Sequence, residues 1–280
     1  MSASLRVCSF ESRKAAEMRS LIERNGAVAT VAESMREIPL GITPEIREFL
    51  TQLQSGQLDV MIFLTGVGAE ALATAIESEI PRDKFFTLLE KCRIVVRGPK
   101  PTAVLKKWGV RIDARAAEPN TWRELVPEIL SVLDTESDLT GKRIAVQEYG
   151  TPSTELYDDL TARGASLLTV PVYKWALPED VTALEQAIRD TISGCFDLIL
   201  ITTAQQLVHT LQIAESIGLR DKWLAAARKC FLASIGPTAS ERLREFELPV
   251  DFEPSHPHMG HLVRESLAAA PELLPVCQSR

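Results

Sequence analysis

Short apolar runs alternate along this chain with stretches in which apolar residues recur at helical spacing. The runs predict strands at 5–10, 27–33, 58–64, 92–97, 142–147, 166–172, 197–202, 230–235 and 249–252. The periodic stretches predict helices at 12–24, 43–54, 68–79, 100–108, 121–133, 153–163, 180–192, 204–217, 238–246 and 259–269. A helix after nearly every strand returns the chain in the same direction, so the pattern implies α/β layers with parallel strands.

Sliding the chain against itself exposes a duplication. Cys92-Arg-Ile-Val-Val-Arg-Gly98-Pro99 aligns with Cys230-Phe-Leu-Ala-Ser-Ile-Gly236-Pro237 at an offset of 138 residues, the separation of Gly98 from Gly236. The same offset carries Leu105 onto Leu243, Asp113 onto Asp251, Asp59 onto Asp197 and Thr65 onto Thr203. An offset within one residue of it maps Arg24-Asn-Gly26-Ala27 onto Arg163-Gly164-Ala165 and Pro39 onto Pro178. Internal similarity decides architecture before any single motif does. Two similar parallel-sheet lobes are expected, with a ligand cleft between them.

Composition narrows the class. The 280 residues carry 31 Lys and Arg against 38 Asp and Glu, a net charge of −7, with 45% hydrophobic residues. That length supports two domains, each with its own core. The longest apolar runs are about five residues, whereas a membrane span needs roughly 20. Glu11, Arg13, Lys14 and Glu17 occupy the place of an export signal's apolar stretch, so a cytoplasmic protein with no membrane partner is expected. Cys8, Cys92, Cys195, Cys230 and Cys277 are far apart and form no C-x-x-C pair, which argues against disulfides and thiolate metal sites. The first four cysteines lie in or beside strand-like runs and read as buried thiols. An acidic balance lacks the electrostatic footprint of a nucleic-acid binder.

Several constellations invite chemistry. Thr65-Gly66-Val-Gly68-Ala-Glu-Ala71 follows a strand and opens a helix, satisfying the dinucleotide pattern G-x-G-x-x-A. The next strand, however, ends in Arg97 rather than the acidic residue that binds a ribose, and the equivalent Thr202-Thr203-Ala204-Gln205 has no glycine. Both turns read better as close strand-to-helix turns offering backbone N–H groups to an anion. Arg97-Gly98-Pro99-Lys100-Pro101-Thr102 and Ile235-Gly236-Pro237-Thr238 repeat one such turn in both halves, which marks them as ligand-contacting. His256-Pro-His258-Met-Gly-His261 looks like a metal cluster, but Pro257 splits the first pair and no Cys or acidic residue completes the set. No metal or other cofactor is expected. Gln147-Glu-Tyr149-Gly150 and Val170-Pro-Val-Tyr173-Lys174 put tyrosines at strand ends.

Taken together, the duplicated halves, Ile235-Gly-Pro-Thr-Ala-Ser-Glu-Arg-Leu243, the Pro171-Val-Tyr173 connector and His256-Pro-His-Met-Gly-His-Leu262-Val263 resemble the uroporphyrinogen-III synthase family. Arg97-Gly-Pro-Lys-Pro101 and Val146-Gln-Glu-Tyr-Gly150 are similar to a bacterial branch of it. The resemblance implies cofactor-free cyclisation of the linear tetrapyrrole hydroxymethylbilane with inversion of its ring D. It also implies a monomer and a transient contact with hydroxymethylbilane synthase. One lobe would comprise 1–36 plus 177–280 and the other 41–170, with connectors 35–40 and 171–178 forming a two-stranded hinge.

Carried over by the same resemblance, Tyr173 becomes the candidate general acid or orienting group for the leaving hydroxyl. Thr65, Gly66, Arg97, Gly98, Thr102, Gln147, Tyr149, Gly150, Thr203, Gly236, Pro237 and Thr238 become candidate substrate contacts. Ala239 departs from the family, many members of which have Thr there. Arg13, Lys14, Arg97, Lys100 and Lys174 lie near strand ends or connectors and are expected to make the cleft locally positive. A non-catalytic bilobed tetrapyrrole-binding or regulatory protein would share every one of these features except the reaction.

Overall fold

The computed structural model describes residues 4–148, 150 and 152–279. The chain forms two compact units, Met1–Arg36 with Ala176–Arg280 (unit 1) and Glu37–Trp175 (unit 2). It begins with β1 (Arg6–Ser9), α1 (Ala15–Arg24), β2 (Val28–Val31) and β3 (Arg36–Pro39). Next come α2 (Pro44–Gln54), β4 (Val60–Phe63), α3 (Gly66–Ile76), α4 (Arg82–Leu89), β5 (Arg93–Val96), α5 (Pro99–Lys107) and β6 (Ala114–Arg115). Unit 2 is completed by α6 (Trp122–Val132), β7 (Arg143–Gln147), α7 (Thr154–Ala162), β8 (Ser166–Val170) and most of β9 (Tyr173–Ala176). The chain then runs through α8 (Thr182–Ile192), β10 (Leu198–Ile201), α9 (Ala204–Ser216), α10 (Arg220–Ala227), β11 (Phe231–Ser234), α11 (Pro237–Glu245) and α12 (Met259–Gln278).

Unit 1 holds the sheet β11-β10-β1-β2 and unit 2 the sheet β6-β5-β4-β7-β8. Every pairing in both sheets is parallel. Strands β4, β10 and β11 are buried along their whole length, as strands covered on both faces must be. In β4 the period-2 alternation sends Met61 and Phe63 into the core under α2 to α5, and Val60 and Ile62 into the core under α6 and α7. In β10, Ile199 and Ile201 pack under α8 to α11, while Leu198 and Leu200 pack with α1 and α12. Each unit is therefore a helix–sheet–helix sandwich. β3 and β9 pair with one another, and the boundaries between the units fall inside these two strands. No helix among the described residues is long and apolar enough to cross a membrane.

Some expectations need correction. Residues 249–252 make only an isolated bridge, Ala233 to Phe252, as Pro249 has no N–H to give to a ladder; the Asp251 side chain accepts from Leu232 N at 2.9 Å just as Asp113 accepts from Ile94 N before β6. The connectors are paired strands at 36–39 and 173–176, as the two-stranded expectation has it although the apolar runs alone do not mark them, and β6 is absent from the expected strands. Two helices were also missed, α4 and α10, each eight residues long. They begin Arg82-Asp-Lys-Phe85 and Arg220-Asp-Lys-Trp223, which the 138-residue offset superimposes, and Phe85 and Trp223 are both fully buried. Helix α12 continues past 269 through Pro271 and Pro275, because Ala270 and Cys277, two turns apart, keep one face packed. Cys195 is half-buried rather than buried, whereas Cys277 is buried.

The aspartates paired by the duplication share one task at the amino-terminal edge of each sheet. Asp59 accepts from Arg143 N and Asp197 from Arg6 N, both at 2.8 Å. Asp113 accepts from Ile94 N at 2.7 Å and also binds Arg111. A carboxylate that satisfies a part-buried strand N–H is worth about 1.5–3 kcal/mol. Asp113→Ala is thus expected to lower unfolding free energy by about 2 kcal/mol, measured by urea denaturation; a loss under about 0.5 kcal/mol would show that water replaces the carboxylate.

Candidate functional site

Open parallel sheets bind ligands outside the strand carboxyl ends, at the point where the chain departs to opposite sides. In unit 2 that point lies between β4, which leads outward to β5 and β6, and β7, which leads to β8 on the other side. In unit 1 it lies between β10, leading to β11, and β1, leading to β2. Most of the sequence-predicted residues within the described chain gather on these two edges, one edge in each unit.

In unit 2, Thr65 caps α3, its Oγ1 accepting from Gly68 N at 2.9 Å. Thr65 N in turn donates to Gln147 Oε1 at 3.2 Å, tying the end of β4 to that of β7. Gln147 is fully buried, and its Nε2 donates to Glu148 O. A Cβ at Gly68 would overlap the Gln147 amide, so the second glycine makes room for a side chain rather than a pyrophosphate. Gly66 lets α3 approach α5; a Cβ there would lie 2.9 Å from Lys100 O. Gly98 caps α5, and Thr102 Oγ1 donates back to Gly98 O at 2.8 Å. Arg97 is half-buried and Lys100 exposed. Gly150 has φ +83°, and a Cβ there would lie 2.6 Å from Tyr173 Cε2 and against Trp175. Tyr173 is 3% exposed and meets Trp175 edge-on, with ring centroids 5.2 Å apart. Tyr149 lies outside the described residues.

Glu148 follows β7 and accepts from Tyr157 Oη at 3.2 Å. Burial pushes its carboxyl above the ordinary range; the Tyr157 hydrogen bond opposes that rise and the charge of Glu45 adds to it. Burial likewise raises the Tyr157 phenol, with the charge of Glu148 adding to it.

In unit 1, Thr203 caps α9, its Oγ1 accepting from Gln205 N at 3.4 Å. Gly236 caps α11, Pro237 is its first residue and Thr238 is exposed. A polar cluster not singled out from sequence joins the two central strands. Glu11 accepts from Thr202 Oγ1, and from Gln206 Nε2 at 3.2 Å, while Thr202 N donates to Gln206 Oε1 at 2.9 Å. His209 lies one helical turn further on, its Nδ1 2.9 Å from Ser34 O. Burial lowers the His209 pKa, and the Ser34 contact only partly offsets it. The register of β1 against β10, invisible in sequence, was the missing signal for Glu11. Lys14 is paired with Glu17 at 2.7 Å.

Two cavities lie at the opposite, amino-terminal edges. The one in unit 2, about 450 Å³, is lined by Asp59, Cys92, Arg93 and Arg111, strand-start residues remote from every candidate above. The carboxyl edges are the better candidate on chemical grounds.

The uroporphyrinogen-III synthase HemD family model matches residues 16–264, nearly the whole of both units. The chain belongs to the uroporphyrinogen-III synthase family. The uncharacterized protein YjjA of Bacillus subtilis (strain 168) is 27% identical over 264 residues, covering 93% of this chain and 94% of that one. A crystal structure of mutant uroporphyrinogen III synthase from the extremely thermophilic bacterium Thermus thermophilus matches with TM-score 0.72 and 20% identity, covering 96% of this chain and 99% of the other. The uroporphyrinogen-III synthetase of Helicobacter pylori 26695 matches with TM-score 0.54 and 14% identity over 94% of this chain and 99% of that one. These two structural likenesses bear on the fold.

Within this family member, Ala239 is buried, and the neighbouring Ser240 hydroxyl is engaged by Ser234 and Glu253. The histidine segment opens α12: His258 Nδ1 accepts from Gly260 N at 3.2 Å and His261 Nδ1 lies 2.8 Å from Glu265. Hydrogen bonds from Ser255 N, His261 and the Ser255 hydroxyl lower the Glu265 carboxyl to about 2. Among the described residues, no His, Cys, Asp and Glu side chains converge as a metal-ligand set. Because the obstacle at Gly66 is a backbone carbonyl, Gly66→Ala is expected to destabilise by about 1–3 kcal/mol as α3 is forced from α5. Urea unfolding measures this, and wild-type stability would show that the two helices separate freely.

Proposed function

We propose that this chain is a working uroporphyrinogen-III synthase that converts hydroxymethylbilane to uroporphyrinogen III. The observation that supports the reading most is the family match over 16–264, spanning both halves of the duplication and both strand-end crevices. The reaction asks little covalent chemistry of a protein. The terminal C–O bond of the substrate breaks, oxygen leaves with the electron pair and a proton as water, and the pyrrole nitrogen lone pair yields an azafulvenium cation. The substituted α-carbon of ring D attacks this cation to form a spiro intermediate, which fragments and recloses with the ring inverted. A protein helps by donating a proton, by excluding water from the cation and by holding a flexible chain in one reactive geometry.

Each requirement has candidates in this chain. The turns that open α3, α5, α9 and α11 bring helix N-termini to the strand ends, where the N–H groups of Gly66, Val67, Lys100 and Thr238 are the ones assigned to substrate carboxylates; those of Thr65, Gly68, Thr102 and Gln205 are engaged within the turns, Pro99, Pro101 and Pro237 have none, and Arg97 and Lys100 add charge. Tyr173, packed beside Gly150 and Trp175, is assigned to the wall of the site and to orienting the leaving hydroxyl. No cofactor is needed for any step. The protein is taken to work as a cytoplasmic monomer that receives its unstable substrate near hydroxymethylbilane synthase.

The deciding experiment supplies hydroxymethylbilane freshly made by its synthase, adds this protein, oxidises the products and separates type I from type III porphyrins. Predominantly type III is expected. Type I alone from folded protein would move the assignment to a non-catalytic tetrapyrrole-binding protein of the same fold. In the same assay Tyr173→Phe is expected to cut the rate by at least about tenfold, the equivalent of ~1.4 kcal/mol of barrier, with an unchanged circular-dichroism spectrum. A wild-type rate would remove Tyr173 from the reaction while leaving the activity assigned.

A further inference from the structure

We propose that Glu148, oriented by Tyr157 at the carboxyl end of β7, is the group that gives the proton to the departing hydroxyl. This rests on the reaction proposed above and names the acid within it.

The first argument is position. Glu148 directly follows β7, one of the two strands flanking the unit 2 crevice. Its own N–H donates to Val170 O at 3.0 Å, so the backbone is still held to β8 there. The preceding residue, Gln147, holds the start of the α3 turn through Thr65 N. Glu148 is half-buried, shielded enough to favour the neutral acid and open enough to meet a ligand, whereas Tyr173 is 3% exposed.

Orientation comes from α7. The Tyr157 hydroxyl donates to Glu148 Oε1 at 3.2 Å, and α7 is anchored by buried Leu156 and Leu160 on either side of that tyrosine. The titratable groups that act on Glu148 are Tyr157 from α7 and Glu45 from α2. Burial and Glu45 favour the protonated carboxyl, and the phenol opposes them, leaving it above the ordinary glutamate range. A carboxyl tuned toward the working pH is what general acid catalysis requires.

The duplication supplies a third argument. The 138-residue offset superimposes Val60 on Leu198; Val60 pairs with Ile144 and Leu198 with Val7. Ile144 and Val7 are thus register equivalents, and Glu148 and Glu11 each lie four residues beyond them. Both units carry a glutamate at the same register position, just past the end of the paired stretch, although the Glu148 carboxyl turns to α7 and that of Glu11 to α9. Glu11 accepts from Thr202 and Gln206, a setting suited to a structural carboxylate, while the Glu148 carboxyl meets a phenol. Different surroundings assign different roles to the two copies.

The step balances without an outside reagent. Glu148 loses its proton to the oxygen as the C–O bond breaks, and water departs. On final ring closure the free α-carbon of ring D sheds a proton, which the Glu148 carboxylate takes up. The acid is regenerated and water is the net product.

The test measures type III formation against pH for the wild type, Glu148→Gln, Glu148→Asp and Tyr157→Phe. In the wild type the rate is expected to fall as pH rises through the Glu148 pKa, because the neutral acid is then lost. Glu148→Gln is expected to lower kcat by about 100-fold or more and to abolish that limb, with Glu148→Asp recovering part of the rate. Tyr157→Phe is expected to shift the limb to higher pH, since it removes the hydrogen bond that favours the carboxylate; a purely packing role would leave the limb in place. Wild-type kcat and pH profile in Glu148→Gln would overturn the proposal and leave the synthase assignment standing. If that variant fails to fold, an unmoved limb in Tyr157→Phe overturns it instead. Type I product alone from the wild type would remove the underlying reading and this proposal with it.

Discussion

The parallel pairing of β4 with β7, and of β10 with β1, is the contact from which each unit takes its geometry. In unit 2 the register runs from Val60 opposite Ile144 to Phe63 opposite Gln147. Both strands are buried on both faces through this stretch, so helices must cover both sides, and a slip of one residue would exchange the two faces. With the register fixed, the ends of the two strands stop together. That is why Thr65 N reaches Gln147 Oε1, and why the α3 and β7 turns open side by side. The candidate site is a consequence of strand register before it is a consequence of any motif.

The duplication has held the amino-terminal edge and varied the carboxyl edge. Asp59 and Asp197, and likewise Asp113 and Asp251, receive equivalent strand N–H groups in the two units. At the other edge adjacent backbone N–H groups are satisfied in two ways, Thr65 N in unit 2 and, one position earlier in the alignment, Thr202 N in unit 1. Gln206 occupies the position that the 138-residue offset assigns to Gly68, and Phe10 the register position of Gln147. In unit 2 the stabilising amide reaches across from β7 into space left by Gly68; in unit 1 it rises from α9 to bind Thr202 N. The amide has moved from strand to helix, and the glycine pair that looked like a nucleotide fingerprint is explained by the volume of Gln147 and the close approach of α5 at Gly66.

The layers, the alternation of strands and helices along each repeat and the helix starts at Thr65, Gly98, Thr203 and Gly236 were legible because they follow from local periodicity and turn chemistry. Helices α4 and α10 were not, since eight residues carry too little amphipathic period; only their shared Arg-Asp-Lys-aromatic start could have marked them. The prolines at 271 and 275 misled for the opposite reason, tertiary packing of Ala270 and Cys277 outweighing a local break. Glu11 and Glu148 were hidden because their placement depends on pairing between strands far apart in sequence. Thr102 was legible as a position, yet its hydroxyl is engaged by Gly98 O, a use that only coordinates reveal.

An acidic chain and the polyanionic substrate of the proposed reaction are compatible because of where charge is placed. Much of the surface charge is neutralised in ion pairs, exposed ones such as Arg47 with Glu79 and Lys14 with Glu17 and half-buried ones such as Arg163 with Asp159, which contribute little to any distant field. At the strand carboxyl ends the balance differs. Helices α3, α5, α9 and α11 all begin there, each presenting the positive end of its dipole. Those ends are fixed by the fold and need no side-chain ordering when a carboxylate arrives. Within each unit, such an edge suits the carboxylates of the substrate proposed above, which many modest contacts would hold while the reacting end is left to the few side chains with a specific chemical task.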